Sequence, residues 1–475
     1  MKQKLRLWDW YALLEALFIT TFLTTFMCAD ARVQRPEPSG PAPGFLDSIK
    51  PLEIGESMPE YLWHLPLQVV NHAEGTEAIT LNDYKGKLII LDFWATWCKS
   101  CIANMPRMHE LQTEYHQDMV VLPVTYEDAK TVSAFLGRTA DSGMVALRQS
   151  FRSVIADDVL KLLFPNPDRS IPYFAIIGVD GMFKGLTIPP LMNRKLISQL
   201  VQGEDGYIPP LQPAPETPLL ERSPRYAANR LNKPFYYSML SGYMEGFTFP
   251  SGRSIDSVNR VRRDYYINLP LLMLYSNALE SGAPTKPNRR VLLIDSAGKL
   301  ESDFRRNPAY RYREYSYCYE ATSPIDATDA DVKARMLSDL NTLSGFKGQI
   351  KRQVMPCLIL RYGDPAKQQS FNPTTEGKFF SLRSFIWKLN EQYDKAIPLV
   401  VDETGFKGKL FLDEATDLGS VESISKLLQA QGFELHSEQR AVDVFILSTD
   451  EVADIDDIPL QLTKYGYVRK EGNGE

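Results

Sequence analysis

The chain is poor in the residues that staple a fold, cluster metals or grip nucleic acid. Five cysteines and five histidines in 475 residues are too few for a disulfide framework. Basic residues are outnumbered, 53 Lys and Arg against 59 Asp and Glu. The resulting net charge of −6 leaves no basic footprint for a primary nucleic-acid role. Glycine (28) and proline (32) stay at globular levels, which excludes collagen-like and low-complexity chains. No uncharged apolar run reaches the roughly 20 residues of a spanning helix, so a polytopic membrane protein is excluded too. What is present is 44% hydrophobic and 24% charged residues, enough to bury real cores. At roughly 100 to 200 residues per domain, this length implies two to four domains.

The first residues read as an address. Lys2, Lys4 and Arg6 precede the apolar run Ala16 to Ala29, and Ala29-Asp30-Ala31 offers small residues at a signal-peptidase spacing. Residues 1–31 are therefore expected to be a cleaved signal peptide, or an uncleaved membrane anchor starting near Tyr11. Acylation of Cys28 is disfavoured by the bulky Thr25, Phe26 and Met27 before it. Each reading exports the rest of the chain, to a periplasm or cell envelope.

Proline supplies a third of the positions from Tyr207 to Pro224, which marks a semi-rigid extended linker over about 206–225. It divides a first domain, 45–205, from a second, 226–475. In the first, Leu88 to Trp94 and Met119 to Thr125 are continuous apolar, β-prone runs of the kind buried on both sheet faces. Cys101, Met105, Met108, Leu111 and Tyr115 recur between them at helical spacing, giving a βαβ unit with parallel strands. Tyr173 to Val179, Asp180-Gly181 and Phe183 to Ile188 predict a hairpin, and a helix from about Leu191 to Gln202 closes the domain. In the second, a helix over Asp331 to Leu343 leads to a strand over Gln349 to Arg361. A helix over Val421 to Gln431 leads through a short strand to Ala441 to Ser448. These are two helix-to-hairpin units of similar length, consistent with an internal repeat or with a shared α+β pattern.

Trp97-Cys98-Lys99-Ser100-Cys101 falls where a buried strand ends and a helix begins. Unpaired N–H groups and the positive end of the helix dipole there stabilise a thiolate. Cys98, the more exposed of the pair, is expected to be the nucleophile, with Cys101 one turn on to resolve the mixed disulfide. Lys99 adds positive charge, and Ser100 a hydroxyl donor for one of the sulfurs. A zinc site is the weaker alternative, because the other mature cysteines are over 200 residues away and no His stands at ligand spacing. An inert buried pair is the other.

These residues resemble the thioredoxin-like superfamily, and within it the secreted or membrane-associated thiol-disulfide oxidoreductases similar to cytochrome c maturation reductases. The resemblance spans about 52–205. It rests on Leu81 to Lys87, the run LIILDFWATWCKSCIANMP with Pro106, and Ile171-Pro172 before YFAIIGVDG. It implies an α/β thioredoxin-like domain, a central mixed sheet flanked by helices, followed by a separate α+β domain. It also implies a cis Pro172 against the CxxC, with the Ile171 backbone placed to pair with an extended substrate. Asp92, six residues before Cys98, takes the place of a buried acid that accepts the proton of the resolving cysteine. Trp94 and Trp97 are expected around the disulfide, with Trp97 also touching substrate. Lys99-Ser100 replaces the commoner Xaa-Pro, which leaves the direction of the redox reaction open. Peroxidase chemistry on this fold needs a threonine three residues before the reactive cysteine, and Ala95 stands there. His109 and His116 read as surface histidines.

The second domain, about 226–475, and its last third most clearly, resembles an uncharacterised, soil-associated domain of secreted bacterial proteins. Ile397 to Gly408, the following helix and VFILS carry that likeness, which implies architecture without activity. Asp402, Glu403 and Thr404 read as turn chemistry. Cys318 and Cys357 either pair or remain buried thiols, with unpaired thiols favoured.

The expected function is disulfide exchange with protein thiols and disulfides through Cys98 and Cys101, as a reductase fed by a membrane thiol donor. Asp92 would assist proton transfer, and Trp97, Ile171 and Pro172 would hold substrate. No cofactor beyond the cysteine pair, no metal and no nucleic acid are expected. The alternative is an envelope protein-binding module that uses the thioredoxin-like fold as a docking scaffold, with function in the C-terminal domain.

Overall fold

The computed structural model describes residues 45–470 except 72–74, 139–143, 145–146, 148–149, 217, 223–235, 280–281, 284–285, 295–312, 374–376, 391–395, 414–415, 451–454 and 456–457. The expected signal or anchor, 1–31, lies outside the described residues, as does Pro224 at the end of the linker. Phe45–Ser48 form one helical turn. No helix among the described residues is long and apolar enough to cross a membrane.

The first domain is built on seven strands: β1 (Leu67–Val70), β2 (Ala78–Ile79), β3 (Leu88–Phe93), β4 (Met119–Val124), β5 (Ser153–Val154), β6 (Tyr173–Ile177) and β7 (Phe183–Thr187). Their order is β2-β1-β5-β4-β3-β6-β7. Every residue of β3, β4 and β6 is buried, which is what their unbroken apolar runs predict. β3 and β4 run parallel, joined by the helix Lys99–Glu114. β6 lies antiparallel on the other side of β3, and turns through Gly181, at φ +75°, into β7. Met108 and Leu111 of that helix pack with Ile197 and Leu200 of the closing helix Arg194–Val201, against Leu88, Ile90 and Phe174 of the sheet. This is the thioredoxin-like arrangement, with a mixed sheet flanked by helices.

The described part of the proline-rich stretch is irregular up to a 3-10 turn at Leu219–Arg222, and it is packed at several points. Ile208 enters the first domain's core beside Phe174 and Leu196. Leu211 sits with Ile188, Leu191, Tyr243 and Phe249. Gln212 donates its N–H to the Gly246 carbonyl at 2.6 Å, and Arg263 Nη1 donates to the Pro215 carbonyl at 2.7 Å. Leu219 then joins Phe247, Ile267 and Cys318 in the second domain. Composition predicts the stiffness of this segment, whereas the apolar residues spaced among its prolines give it anchors.

The second domain is α+β. Strands β8 (Ser238–Gly242), β9 (Ser251–Asp256), β10 (Val261–Pro270), β11 (Arg290–Leu293) and β12 (Ser316–Pro324) precede β13 (Lys347–Tyr362), β14 (Gly377–Ser381) and β15 (Leu399–Asp402). They are followed by β16 (Lys409–Asp413), β17 (Phe433–Ser448), β18 (Leu460–Thr463) and β19 (Gly466–Arg469). They form a four-stranded sheet β8-β12-β10-β9, a six-stranded sheet β15-β13-β17-β11-β19-β18, and the pair β14-β16.

The two helix-to-hairpin units expected here are differently built. The helices Asp329–Leu343 and Val421–Ala430 each lead into a single 16-residue strand, β13 and β17, and those two strands pair with each other from Lys347↔Ser448 to Tyr362↔Phe433. Local pattern reveals a strand but not its partner. Gly432, at φ +82°, makes the turn into β17, and a Cβ there would fall 2.2 Å from the Asp364 carbonyl oxygen. Asp402 is a turn residue, as expected: its Oδ1 accepts the Thr404 N–H and hydroxyl at 2.8 and 2.7 Å. Glu403 bridges Arg361 and Arg440. Cys318 and Cys357 are buried and unpaired.

Candidate redox site

The site sits at the carboxyl end of β3, where ligands and active residues gather in open α/β sheets. Cys98 is the N-cap of the helix Lys99–Glu114, and its Sγ accepts the Cys101 N–H at 3.2 Å. It thus occupies the place where a helix presents unpaired donors. Ser100 Oγ lies 3.5 Å from the same sulfur, which resolves which cysteine it faces. Cys98 and Cys101 are joined as a disulfide, their Cα atoms 5.3 Å apart. Cys98 is the more exposed of the two, but only by 5% against 1%, so nearly all of it is covered. The cover includes Trp94, Met105, Val132, Leu136 and Phe151, with Ile102 and Ile171 packed against them.

The peptide bond between Ile171 and Pro172 is cis, and the Ile171 carbonyl oxygen is 3.9 Å from Cys98 Sγ. Pro172 is buried and Ile171 partly so. The two tryptophans divide. Trp94 is buried, donating its indole N–H to Ser153 Oγ at 2.9 Å and meeting Phe151 edge-on at 5.5 Å. Trp97 is 64% exposed and donates to the Tyr126 hydroxyl at 2.8 Å.

Asp92 is buried in β3, opposite Pro123 of β4 and Phe174 of β6. Its Oδ1 has no hydrogen-bond partner among the described residues, and burial pushes the carboxyl up to about 7. It lines a cavity of about 50 Å³ with Met105, His109, Gln112 and Arg152, room for a water molecule. Met105 also packs in the cluster that holds the disulfide, so it links the acid's cavity to the cysteines. His109 is a wall of that cavity, whereas His116 is exposed in the turn just beyond the helix, its Nδ1 3.3 Å from the Thr113 carbonyl oxygen.

Sequence reasoning missed Glu127. Its carboxylate accepts the Thr96 N–H at 2.7 Å and the Thr96 hydroxyl at 2.8 Å, pinning the loop immediately before Cys98. The available signal was position: Tyr126 and Glu127 follow β4, the parallel neighbour of β3, so they emerge at the same sheet end. Trp387 was missed too. It comes from the second domain, and the Lys99 ammonium stands 5.4 Å from its ring centroid. No sequence pattern connects residues 99 and 387.

Residues 54–149 match the AhpC/TSA family. This segment is thioredoxin-like. Among curated relatives, it is similar to the thioredoxin-like protein YneN of Bacillus subtilis, at 46% identity over 63 residues, 12% of this chain and 37% of that one. It is also similar to the thiol-disulfide oxidoreductase ResA of Bacillus cereus, at 39% over 74 residues, 16% of this chain and 38% of that one. The chain thus spans under two fifths of the length of these relatives. A solved structure of a secreted Mycobacterium tuberculosis disulfide oxidoreductase, described as homologous to E. coli DsbE, is similar at 17% identity. That match covers 30% of this chain and 99% of the other, with a TM-score of 0.23. The thioredoxin-like assignment rests on the family match and on the strand order.

Proposed function

We propose that this chain is an exported thiol-disulfide oxidoreductase that works as a reductase on protein disulfides. The observation that carries the reading is Cys98 at a helix N-cap, its sulfur accepting a backbone N–H and standing beside the Ile171 carbonyl. In the reduced protein the Cys98 thiolate attacks one sulfur of a substrate disulfide. A mixed disulfide forms, and the other substrate sulfur leaves as a thiolate. Cys101 gives its proton to Asp92, through water in the adjoining cavity, and attacks Cys98 Sγ. The Cys98–Cys101 bond forms, and the second substrate sulfur departs, so two electrons pass from enzyme to substrate. A membrane thiol carrier would restore the dithiol. Ile171 and Pro172 would align the substrate backbone, with Trp97 against its side chains.

Export is supported by the basic-then-apolar N-terminal run. Peroxide chemistry is disfavoured by Ala95, which is buried where that reaction would use a threonine hydroxyl. Exchange of Cys98 for Ser should abolish turnover of a protein disulfide such as insulin, and persistent turnover in C98S would falsify the assignment. Cys101→Ser should accumulate mixed disulfides visible on non-reducing gels. A reduction potential near the reducing end, about −270 mV, would favour the reductase direction, and one near −120 mV would overturn it.

A further inference from the structure

The second domain reaches the CxxC. Its helix Leu382–Asn390 brings Trp387 against Lys99, the residue directly after Cys98. Trp387 is 48% exposed, and so largely are Trp97, immediately before Cys98, and its hydrogen-bond partner Tyr126. Large aromatic rings left in water around one disulfide, rimmed by charge, are the mark of an interaction surface. The rim is cationic. Lys388, next to Trp387, lies over the Phe380 ring at 4.7 Å. Its ammonium is held below the usual range by burial first, then by the charges of Lys378 and Lys99. Lys99, directly after Cys98, and Lys388, beside Trp387, thus bring ammonium groups from two domains to this rim of a chain whose net charge is −6. Crowding like charges does nothing for folding, whereas it raises the local concentration of an anionic partner.

We propose that Trp387 and Lys388, together with Lys99, Trp97 and Tyr126, form a docking surface for an extended acidic polypeptide segment flanking the disulfide that Cys98 attacks. The inference rests on the oxidoreductase reading above and names its substrate class. Carboxylates of the partner meet the lysines, and aromatic or aliphatic side chains lie on the exposed rings. The backbone beside the target disulfide runs past the Ile171 carbonyl. The second domain is then the specificity element of the redox site.

The test uses the reduced full-length protein and three disulfides: neutral hydroxyethyl disulfide, a peptide disulfide flanked by Asp and Trp, and its counterpart flanked by Lys and Trp. Wild type should prefer the acidic peptide over the basic one in kcat/KM by about tenfold, and 0.5 M salt should compress that preference. The ratio of acidic-peptide rate to hydroxyethyl disulfide rate should fall about fivefold in W387A, recover in W387F, and fall further in K388E. K388E is on a partly exposed position and keeps the test open if W387A folds poorly. Equal use of both peptides by wild type, or wild-type ratios in both variants, overturns the proposal. So does W387A speeding all three disulfides alike, which would make Trp387 a cover. Each of these failures is seen with hydroxyethyl disulfide still turned over. Wild type inert to all three disulfides instead overturns the oxidoreductase reading, and this inference with it.

Discussion

Asp92 shows how one buried group couples stability to chemistry. The unfolded chain releases this proton near the ordinary value of 3.8, and the native protein near 7. Folding thus favours the protonated acid, so its ionisation adds no cost below about pH 4 and a growing one as pH rises to 7. Asp92→Asn should stabilise the oxidised protein above pH 7 by up to on the order of 4 kcal/mol, at 1.36 kcal/mol per pKa unit. That gain should shrink as pH falls through 7 and vanish below 4. Urea unfolding at pH 4, 6 and 8 measures it, and a gain that does not vary with pH would count against a protonated native Asp92. On the proposed mechanism the same substitution should prolong the mixed disulfide at pH 7 by about 10- to 100-fold, because the resolving thiol would lose its base.

Between residue and fold, the loop from Phe93 to Cys98 decides whether the sulfur is held or merely present. Glu127 is its clamp, accepting two hydrogen bonds from Thr96. Charge-assisted bonds of this kind contribute about 1.5–3 kcal/mol each, enough to order a short loop. Glu127→Ala should therefore lower kcat for insulin reduction while leaving far-UV dichroism unchanged, and should speed amide hydrogen exchange at Thr96 and Trp97. Unchanged exchange there would mean that the backbone bond from Cys98 N to the Ala95 carbonyl, at 3.0 Å, suffices. The proline-rich strap works at this same scale. Its anchors Ile208, Leu211 and Leu219 enter three separate apolar clusters, which turns a spacer into a splint.

For the whole molecule, the telling contact is buried Glu320. It pairs with Arg263 at 2.6 Å, with both side chains almost fully buried, and accepts the Leu219 N–H of the strap at 2.8 Å and the Tyr237 hydroxyl. One ion pair therefore fixes the strap's end to the four-stranded sheet. Arg263→Met should destabilise the protein by about 3–5 kcal/mol by stranding the carboxylate, and Arg263→Met with Glu320→Leu should recover much of that loss. Thermal unfolding of the single and double variants checks both, and equal losses would show that the pair is not the lock.

Sequence alone determined the parts whose signal is local. The strand-to-helix junction at Cys98, the fully buried strands around it and the turn at Asp402 follow from patterns confined to a few neighbouring residues. The proline stretch was legible as stiff, since proline restricts φ wherever it stands. Tertiary structure decided what depends on partners far along the chain. β13 finds β17 some 85 residues away, because a hydrogen-bond ladder has no sequence signature beyond each strand's own pattern. Cys98 is nearly covered because side chains from 94 to 171 converge on it, and Asp92 is shifted because its neighbours exclude water. Lys99 stands over Trp387 for the same reason: chain separation says nothing about distance once two domains pack, so the second domain's place beside the CxxC could be read only from the fold.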